Sequence, residues 1–375
     1  MKVLHINSNY LHTPLYSEMI FELEQHNVQS DVIMPRKISD DKHISERLVN
    51  NNAQVWHSQI LKPRDRFFYF TKQRKILNWI SQQQISIEEY NIVHAHTLFS
   101  DGYIAFKMGN PYVITVRNTD VNYYLKYYKH LKPIGRTILQ KASAIIFLSE
   151  TYKMKVLKLL FSEDERQDIL KKVSVITNGI NQYWIEHSSK KKKSIKNEVN
   201  ILFVGRIMRN KNIHFLAENL QKQFIHKNVR LFVVGDVVES KYEETLTQYS
   251  NVTLLGKKSK KEIITLMENM HIFAMVSFHE TFGLVYLEAL TQQLPLLYTK
   301  NEGFDLYFPN GQVGYAVSPR NGNELIKNTI SLIKNYEEFQ SRIYNIDKEI
   351  FGWRENAKKH FHIYQNVCHK ESGES

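Results

Sequence analysis

The chain has 375 residues, which is enough for two domains of ordinary size, and its 42% apolar content is that of a globular protein with packed cores. Its formal net charge of +12 is compatible with solubility alone and also with anionic partners, namely anionic small-molecule donors, anionic lipid surfaces or nucleic acid. Cys368 is the only cysteine, which excludes an intrachain disulfide and favours a reducing cytosol.

The first half of the chain alternates apolar runs with helical stretches. Its first run is too short for the core of a signal peptide, and no run approaches the roughly 20 residues of a membrane span, so we expect a cytoplasmic protein whose membrane contacts are peripheral. The runs cover residues 3–6, 31–34, 92–93, 112–116, 144–148 and 173–176. Because such alternation is typical of βαβ units, we predict a parallel sheet covered by helices.

A polar, basic segment at residues 188–194 precedes a second half with the same pattern. The second set of apolar runs covers residues 200–204, 229–234, 252–255, 272–276, 295–298 and 313–317. We interpret the basic segment as an interdomain linker. The predicted organisation is α/β, with an N-terminal domain at residues 1–185, a C-terminal domain at residues 196–350 and a closing helix at residues 351–372.

Polar residues follow two of the predicted strands in the first half. His94 and His96 come at the end of one strand. Two histidines at this spacing could bind a metal, but a third ligand at a credible spacing is not apparent, so we interpret both as structural and expect no metal. Asp120 follows the next strand, where capping of a turn and a functional role are both open.

Two stretches of the first half combine aromatic rings with basic residues. They cover residues 62–72 and 123–129. Aromatic rings flanked by cations suit a membrane interface. Helix packing with a solvated basic face is the alternative. Nucleic-acid stacking lacks an accompanying fold motif, so we expect no nucleic-acid partner.

A glycine and two cations follow the first strand of the second half. Gly205 lets the backbone turn tightly, and Arg206 and Lys211, five residues apart, can converge on one anion. A solvated basic loop is the alternative. Gly235 ends the next strand, where it either permits a turn or approaches a nucleotide.

Two carboxylates in the second half are separated by seven residues. Glu280 follows a strand-like apolar run, and Glu288 is expected about two turns along the next helix, near Leu284 on its face. The backbone N–H groups of Phe282, Gly283 and Leu284 would be free at the start of that helix, where they could bind phosphate. A carboxylate beside a phosphate-binding helix end suggests a nucleotide sugar as the ligand.

The block at residues 279–290 resembles the E-x7-E motif of the retaining glycosyltransferases of family 4. That family has the GT-B fold, in which two Rossmann-like, doubly wound domains face a cleft. The resemblance extends over nearly the whole chain and is strongest at residues 199–317. It implies that the C-terminal helix crosses back to the first domain.

The family pattern implies a role for each matching residue. Arg206 and Lys211 match its arginine and lysine positions, which implies that both neutralise the donor diphosphate and stabilise the leaving group. Glu280 would contact the sugar hydroxyls, and Glu288 the ribose hydroxyls of the donor. The remaining donor-binding positions are Gly205, Gly235, Phe282, Gly283 and Leu284.

Some positions depart from the family pattern. The histidine and glycine of the commoner His-Gly-x-Asp sequence are absent, and Asn118 takes the glycine position before Asp120. The resemblance still places Asn118, Asp120 and His96 on the acceptor side of the cleft. Asn212 and Gln293 stand where glycines are usual.

The resemblance implies a retaining glycosyltransferase that needs no metal or other cofactor. It would move a sugar from a UDP- or GDP-linked donor to a hydroxyl of a glycan acceptor. A glycan linked to polyprenyl diphosphate is one candidate acceptor. The pathway would be the synthesis of bacterial capsule, exopolysaccharide or teichoic-type polymer. A lipid-linked acceptor would bring this cytoplasmic protein to an anionic membrane surface, at the inner face of the cell membrane. The alternatives are a GT-B-fold epimerase, which lacks the spaced glutamates, and a non-catalytic basic surface-binding protein.

Overall fold

The computed structural model describes residues 1–37, 52–223, 228–371 and 373. The chain divides into two compact units. Unit 1 comprises Met1–Leu148, Tyr152–Gly179 and Trp353–Ser375, and unit 2 comprises Ser149–Thr151 and Ile180–Gly352. The C-terminal helix therefore belongs to unit 1, as the resemblance implied.

Unit 1 contains a parallel sheet of seven strands in the order β3-β2-β1-β4-β5-β6-β7. The strands are β1 (Lys2–Ile6), β2 (Gln29–Met34), β3 (Val55–His57), β4 (Ile92–Ala95), β5 (Tyr112–Val116), β6 (Ala144–Phe147) and β7 (Val173–Val175). The helices before unit 2 are α1 (Leu15–Glu24), α2 (Tyr69–Ser81), α3 (Gly102–Met108), α4 (Leu125–Tyr127), α5 (Lys132–Lys141), α6 (Glu150–Leu160) and α7 (Glu163–Leu170). Central strands such as β4 and β5 are buried along their whole length, because helices cover both faces of a parallel sheet.

Unit 2 contains a parallel sheet of six strands in the order β10-β9-β8-β11-β12-β13. The strands are β8 (Glu198–Val204), β9 (Asn228–Val234), β10 (Val252–Leu254), β11 (Ile272–Met275), β12 (Leu296–Thr299) and β13 (Gly314–Val317). The helices are α8 (Gln182–Glu186), α9 (Ile213–Gln223), α10 (Ser240–Leu246), α11 (Lys260–Met267), α12 (Leu284–Thr291), α13 (Gly322–Lys334) and α14 (Tyr336–Tyr344). The predicted α/β fold with two doubly wound parallel sheets is confirmed.

The chain closes with α15 (Trp353–Glu371), which packs in unit 1 against α1 and β4. Tyr364 on this helix is completely buried, and its hydroxyl lies 2.6 Å from Nδ1 of His94. Gly179 meets the start of the helix so closely that a Cβ atom there would lie 2.7 Å from the backbone nitrogen of Trp353. The return of the chain to unit 1 therefore requires a glycine at this point.

The basic segment at residues 188–194, which the sequence suggested to be an interdomain linker, makes several hydrogen bonds within unit 2. The amine of Lys193 donates to the carbonyl oxygens of Met267 and Gln292, at 2.5 and 2.9 Å. The backbone N–H of Ser189 donates to the carbonyl of Thr291 at 2.8 Å. Burial lowers the pKa of Lys193 to about 7. The carbonyls at helix ends attract a cation, which explains why a lysine docks there.

Within the described residues, no helix combines the length and the apolar character needed to cross a membrane.

Candidate functional site

The loops that follow β8 and β9 in unit 2 touch each other through two glycines. A Cβ atom on Gly235 would lie 1.8 Å from the carbonyl oxygen of Gly205, so no other residue fits there. The N–H of Gly205 donates to the carbonyl of Val234 at 2.9 Å. This close approach explains why position 235 is a glycine, and contact of either glycine with a donor stays a prediction.

Lys211 and Glu280, 69 positions apart in the sequence, form an ion pair. Nζ of Lys211 lies 2.5 Å from Oε2 of Glu280, and only 15% and 14% of the two side chains is exposed. The lysine follows β8 and the glutamate follows β11, and these strands are neighbours in the sheet. The carboxyl ends of parallel strands meet at one edge, which is where α/β proteins bind ligands. The structure thus brings a predicted cation and a predicted carboxylate into one largely buried site.

Asn212 takes over the role of the glycine that is usual after this lysine. Its φ of +54° is left-handed, a conformation that asparagine tolerates better than most residues. Its amide donates to the carbonyl oxygens of Val276 and Pro319, at 3.1 and 2.9 Å. The lysine loop is therefore tied to the end of β11. Gln293, at the other departure from the family pattern, is likewise left-handed with a φ of +63°.

The loop that carries Glu280 is held in place by the turn that follows β12. The backbone N–H of Glu280 donates to Oε2 of Glu302, and the N–H of Gly303 donates to the carbonyl of Glu280, both at 2.9 Å. A Cβ atom on Gly303 would lie 1.5 Å from the carbonyl oxygen of Thr281. Glu302 was not predicted as a site residue. The signal for it is its position just after the strand that neighbours β11.

The start of α12 presents three backbone N–H groups. Those of Phe282, Gly283 and Leu284 have no hydrogen-bond partner among the residues that the structure describes. Gly283 adopts a left-handed φ of +79°, and a Cβ atom there would lie 2.6 Å from the ring of Tyr286. The Phe282 side chain is buried, so only its backbone faces a ligand. These N–H groups and the helix dipole suit an anion.

Glu288 lies on α12, four residues after its first residue. It is therefore a little over one turn along the helix, not two as predicted, because the helix begins at Leu284. The side chain is half-buried. Burial raises the pKa of Glu288 to about 7, and Lys260 and the indole of Trp184 oppose this shift. This carboxyl is therefore partly protonated at neutral pH. A polar ligand that donates hydrogen bonds to it would stabilise its charged form.

Arg206 differs from Lys211 in its surroundings. Its side chain is exposed, and within the described part of the chain it has no hydrogen bond or ion pair. Lys211 is already paired with Glu280. The two cations therefore differ: among the described residues Arg206 is exposed and unpaired, whereas Lys211 is largely buried and paired with a carboxylate.

Asp120 in unit 1 is completely buried and accepts three backbone hydrogen bonds. They come from the N–H groups of Leu98, Phe99 and Arg117, at 2.9, 3.1 and 2.9 Å. Burial raises the pKa of Asp120 to about 6 against the effect of these bonds. These three hydrogen bonds fit the capping role that was one of the two open for Asp120. The functional role stays a prediction. The half-buried Asn118 accepts a hydrogen bond from the amide of Asn122.

His94 and His96 belong to a buried cluster that contains a third histidine, His5. The sequence pattern indicated no third ligand, but pairing of β1 with β4 sets His5 beside His94, and ligand atoms of all three rings lie within 4.8 Å of one another. The sequence spacing showed no sign of this third histidine, because sheet order brings together residues that are distant in sequence.

The hydrogen bonds of these histidines are nearly complete. Nδ1 of His5 lies 2.9 Å from Nε2 of His96, and His94 contacts the hydroxyls of Tyr364 and Thr115 at 2.6 and 2.8 Å. Nδ1 of His96 has no partner among the described residues. Burial lowers the pKa of His5 to about 3 and those of His94 and His96 well below the ordinary value, so the rings are neutral. We interpret the cluster as a structural network of fixed tautomers.

Two parallel-sheet units, each built from βαβ repeats, define the GT-B class of fold. The chain resembles the HepE protein of Anabaena, solved in complex with UDP, with a TM-score of 0.71 and 16% identity over 98% of this chain and all of that one. This likeness establishes the fold.

Two family models match most of the chain between them. "Glycosyltransferase Family 4" matches residues 17–182, and "Glycosyl transferases group 1" matches residues 185–349. The chain belongs to this family of glycosyltransferases.

Two similar proteins are named for the biosynthesis of capsular polysaccharide and of teichuronic acid. The capsular polysaccharide biosynthesis glycosyltransferase CapM of Staphylococcus aureus is 30% identical over 47% of this chain and 48% of its own length. The putative teichuronic acid biosynthesis glycosyltransferase TuaC of Bacillus subtilis is 23% identical over 74% of this chain and 71% of its own length.

Proposed function

We propose that the protein is a retaining, metal-independent glycosyltransferase that moves a sugar from a nucleoside diphosphate sugar to a hydroxyl of a glycan acceptor. The proposed pathway is the synthesis of a bacterial surface polysaccharide, which the names of CapM and TuaC support. The observation that carries the proposal is the Lys211–Glu280 ion pair, which lies in the same unit as the three unpartnered N–H groups at the start of α12.

The proposed donor site uses three sources of positive charge for the diphosphate. The N–H groups at the start of α12 bind one phosphate, Lys211 approaches from the end of β8, and Arg206 approaches from solvent. Charge on the diphosphate grows as the bond to the sugar breaks, so groups that are already in place stabilise the leaving group without reorganisation. These groups supply the charge that a metal ion supplies in other transferases, and the proposal therefore assigns no metal or cofactor.

The two carboxylates take different parts of the donor. Glu280, beside Lys211, faces the sugar and balances positive charge that develops at its anomeric carbon. Glu288 accepts hydrogen bonds from the ribose hydroxyls, and its raised pKa fits a carboxyl that gains a polar partner on binding. UDP is the first nucleotide to test, because the structurally similar HepE was solved with UDP.

A panel of UDP- and GDP-linked sugars tests the proposal. We expect release of the nucleoside diphosphate from one donor class when a glycan acceptor is present. Nuclear magnetic resonance of the first product should show the same anomeric configuration as the donor. An inverted product would remove the retaining mechanism. Interconversion of the donor sugar without transfer would favour the epimerase, and the absence of nucleotide binding would favour a surface-binding protein.

The acceptor is proposed to be lipid-linked, which places the protein peripherally at the inner face of the cell membrane.

A further inference from the structure

Two separate stretches of unit 1, residues 62–72 and 123–129, carry five large aromatic side chains that are exposed to solvent. Phe67, Phe68 and Phe70 are 60%, 61% and 54% exposed, and Tyr123 and Tyr127 are 40% and 65% exposed. Such side chains are normally buried, and a group of them on one surface marks a site of interaction.

The structure brings the two parts together. Tyr69, between the exposed phenylalanines, has its ring centroid 6.3 Å from that of Tyr124, which is next to Tyr123. The guanidinium of Arg66 lies 4.5 Å from the ring centroid of Phe67 and is close enough to act electrostatically on the phenol of Tyr123. The five exposed rings thus belong to one surface, which we call the aromatic–basic face.

The exposed charges of the two stretches have one sign. Five exposed cations accompany the rings: Lys62, Arg64, Arg66, Lys126 and Lys129. The only carboxylate in the two stretches, Asp65, is buried and paired with Lys75 at 2.6 Å, so it does not face solvent. Among the residues that the structure describes, the two stretches therefore present aromatic rings and cations to solvent and no exposed carboxylate of their own.

We infer that the aromatic–basic face docks on an anionic lipid bilayer. Aromatic side chains partition into the headgroup region, and lysine and arginine pair with acidic lipids while their apolar stems remain near the acyl chains. A protein partner would have to offer a large acidic surface with pockets for five rings, whereas a bilayer meets both requirements without a matching shape. The inference rests on the proposed function only in that a lipid-linked acceptor would give the docking a purpose.

Sedimentation of the full-length protein with lipid vesicles tests this inference. We expect binding to vesicles that contain phosphatidylglycerol, much weaker binding to pure phosphatidylcholine, and a loss of binding at high salt. Arg64→Gln with Arg66→Gln should lower the partition coefficient by about 25-fold, at about fivefold for each cation. Phe68→Ser should lower it roughly tenfold.

Matched control variants separate this face from general effects. Lys327→Gln with Lys334→Gln removes the same charge from α13 in unit 2, and Phe21→Ser removes an aromatic ring that is 48% exposed on α1. Each control should change the partition coefficient by less than about twofold. Melting temperatures of all variants report whether they fold.

Three outcomes would overturn the inference. They are no sedimentation of the wild type with anionic vesicles at low salt, an equal loss of binding in the control variants, and a lipid-free dimer that Phe68→Ser dissociates. The last result would assign the face to a second copy of the chain. Titration with UDP on the same preparations reports the donor site independently, so failure of the membrane inference is distinguishable from failure of the proposed function.

Discussion

Replacing Glu288 by glutamine should stabilise the free protein at alkaline pH while it weakens nucleotide binding. The pKa of this carboxyl rises from its ordinary 4.5 to about 7 on folding, chiefly because it is buried. The folded state therefore holds a proton that the unfolded state releases between these values. Stability is lost as the pH rises through this window, and it stays lower above pH 7.

The size of this effect follows from the pKa difference. It corresponds to at most about 3.4 kcal/mol, and solvent screening of a half-buried side chain reduces it to about 1–2 kcal/mol. Glutamine keeps the shape and never ionises. We therefore expect Glu288→Gln to melt as the wild type does at about pH 5 and higher by several degrees at about pH 8.5, at roughly 2–4 °C per kcal/mol.

The same variant should bind UDP about ten- to a hundredfold more weakly at about pH 8, because a charge-assisted hydrogen bond to the ribose is lost. Thermal melting and calorimetry on one preparation measure both effects. Glu337→Gln, at an exposed position on α14, is the matched control and should show neither. An identical pH dependence of melting in Glu288→Gln and the wild type would refute the argument that this carboxyl is desolvated.

Three further predictions concern the other residues of the candidate site and the histidine cluster. Arg206→Ala and Lys211→Ala should each lower kcat more than they raise KM, with a loss of about 2–4 kcal/mol in transition-state stabilisation. Steady-state kinetics measures this, and an effect on KM alone would mean that the two cations bind the donor only in its ground state. Glu302→Gln should lower kcat about three- to tenfold at unchanged UDP affinity, because a neutral amide holds the N–H of Glu280 more weakly; unchanged kcat would show that Gly303 alone positions this loop. Treatment with a chelator should shift the melting temperature by less than about 1 °C, and a larger drop that Zn²⁺ reverses would assign a metal to His5 and its neighbours.

Most strands could be predicted from the sequence, because buried parallel strands are continuous apolar runs. All six strands of unit 2 coincide with such runs. The strand β3 was missed, since its three residues are only partly buried and carry no pattern of their own. The E-x7-E block placed Glu280 and Glu288 correctly in a loop and on a helix, although the start of α12 was set about a turn too early.

The contacts that the sequence did not show share a physical cause, which is that contacts between distant segments leave no local pattern. Lys193 belongs to a polar, basic segment, and its amine donates to carbonyl groups at two helix ends that are distant in sequence. His5 joins His94 only through the register of β1 and β4. Glu302 reaches Glu280 because their strands are neighbours in the sheet. The pairing of Lys211 with Glu280 follows from the same strand order.

The release of nucleoside diphosphate from a donor panel, compared between the wild type and Glu280→Gln, tests the central claim most directly. The substitution keeps the size of the side chain but removes the charge that pairs with Lys211 and that we propose balances positive charge on the sugar. We expect the wild type to release UDP or GDP from one donor class in the presence of acceptor, and Glu280→Gln to do so about ten- to a thousandfold more slowly at nearly unchanged nucleotide affinity. Two results would contradict the account. One is turnover at the wild-type rate in a correctly folded Glu280→Gln variant, and the other is a wild type that binds neither UDP nor GDP and releases neither from any donor.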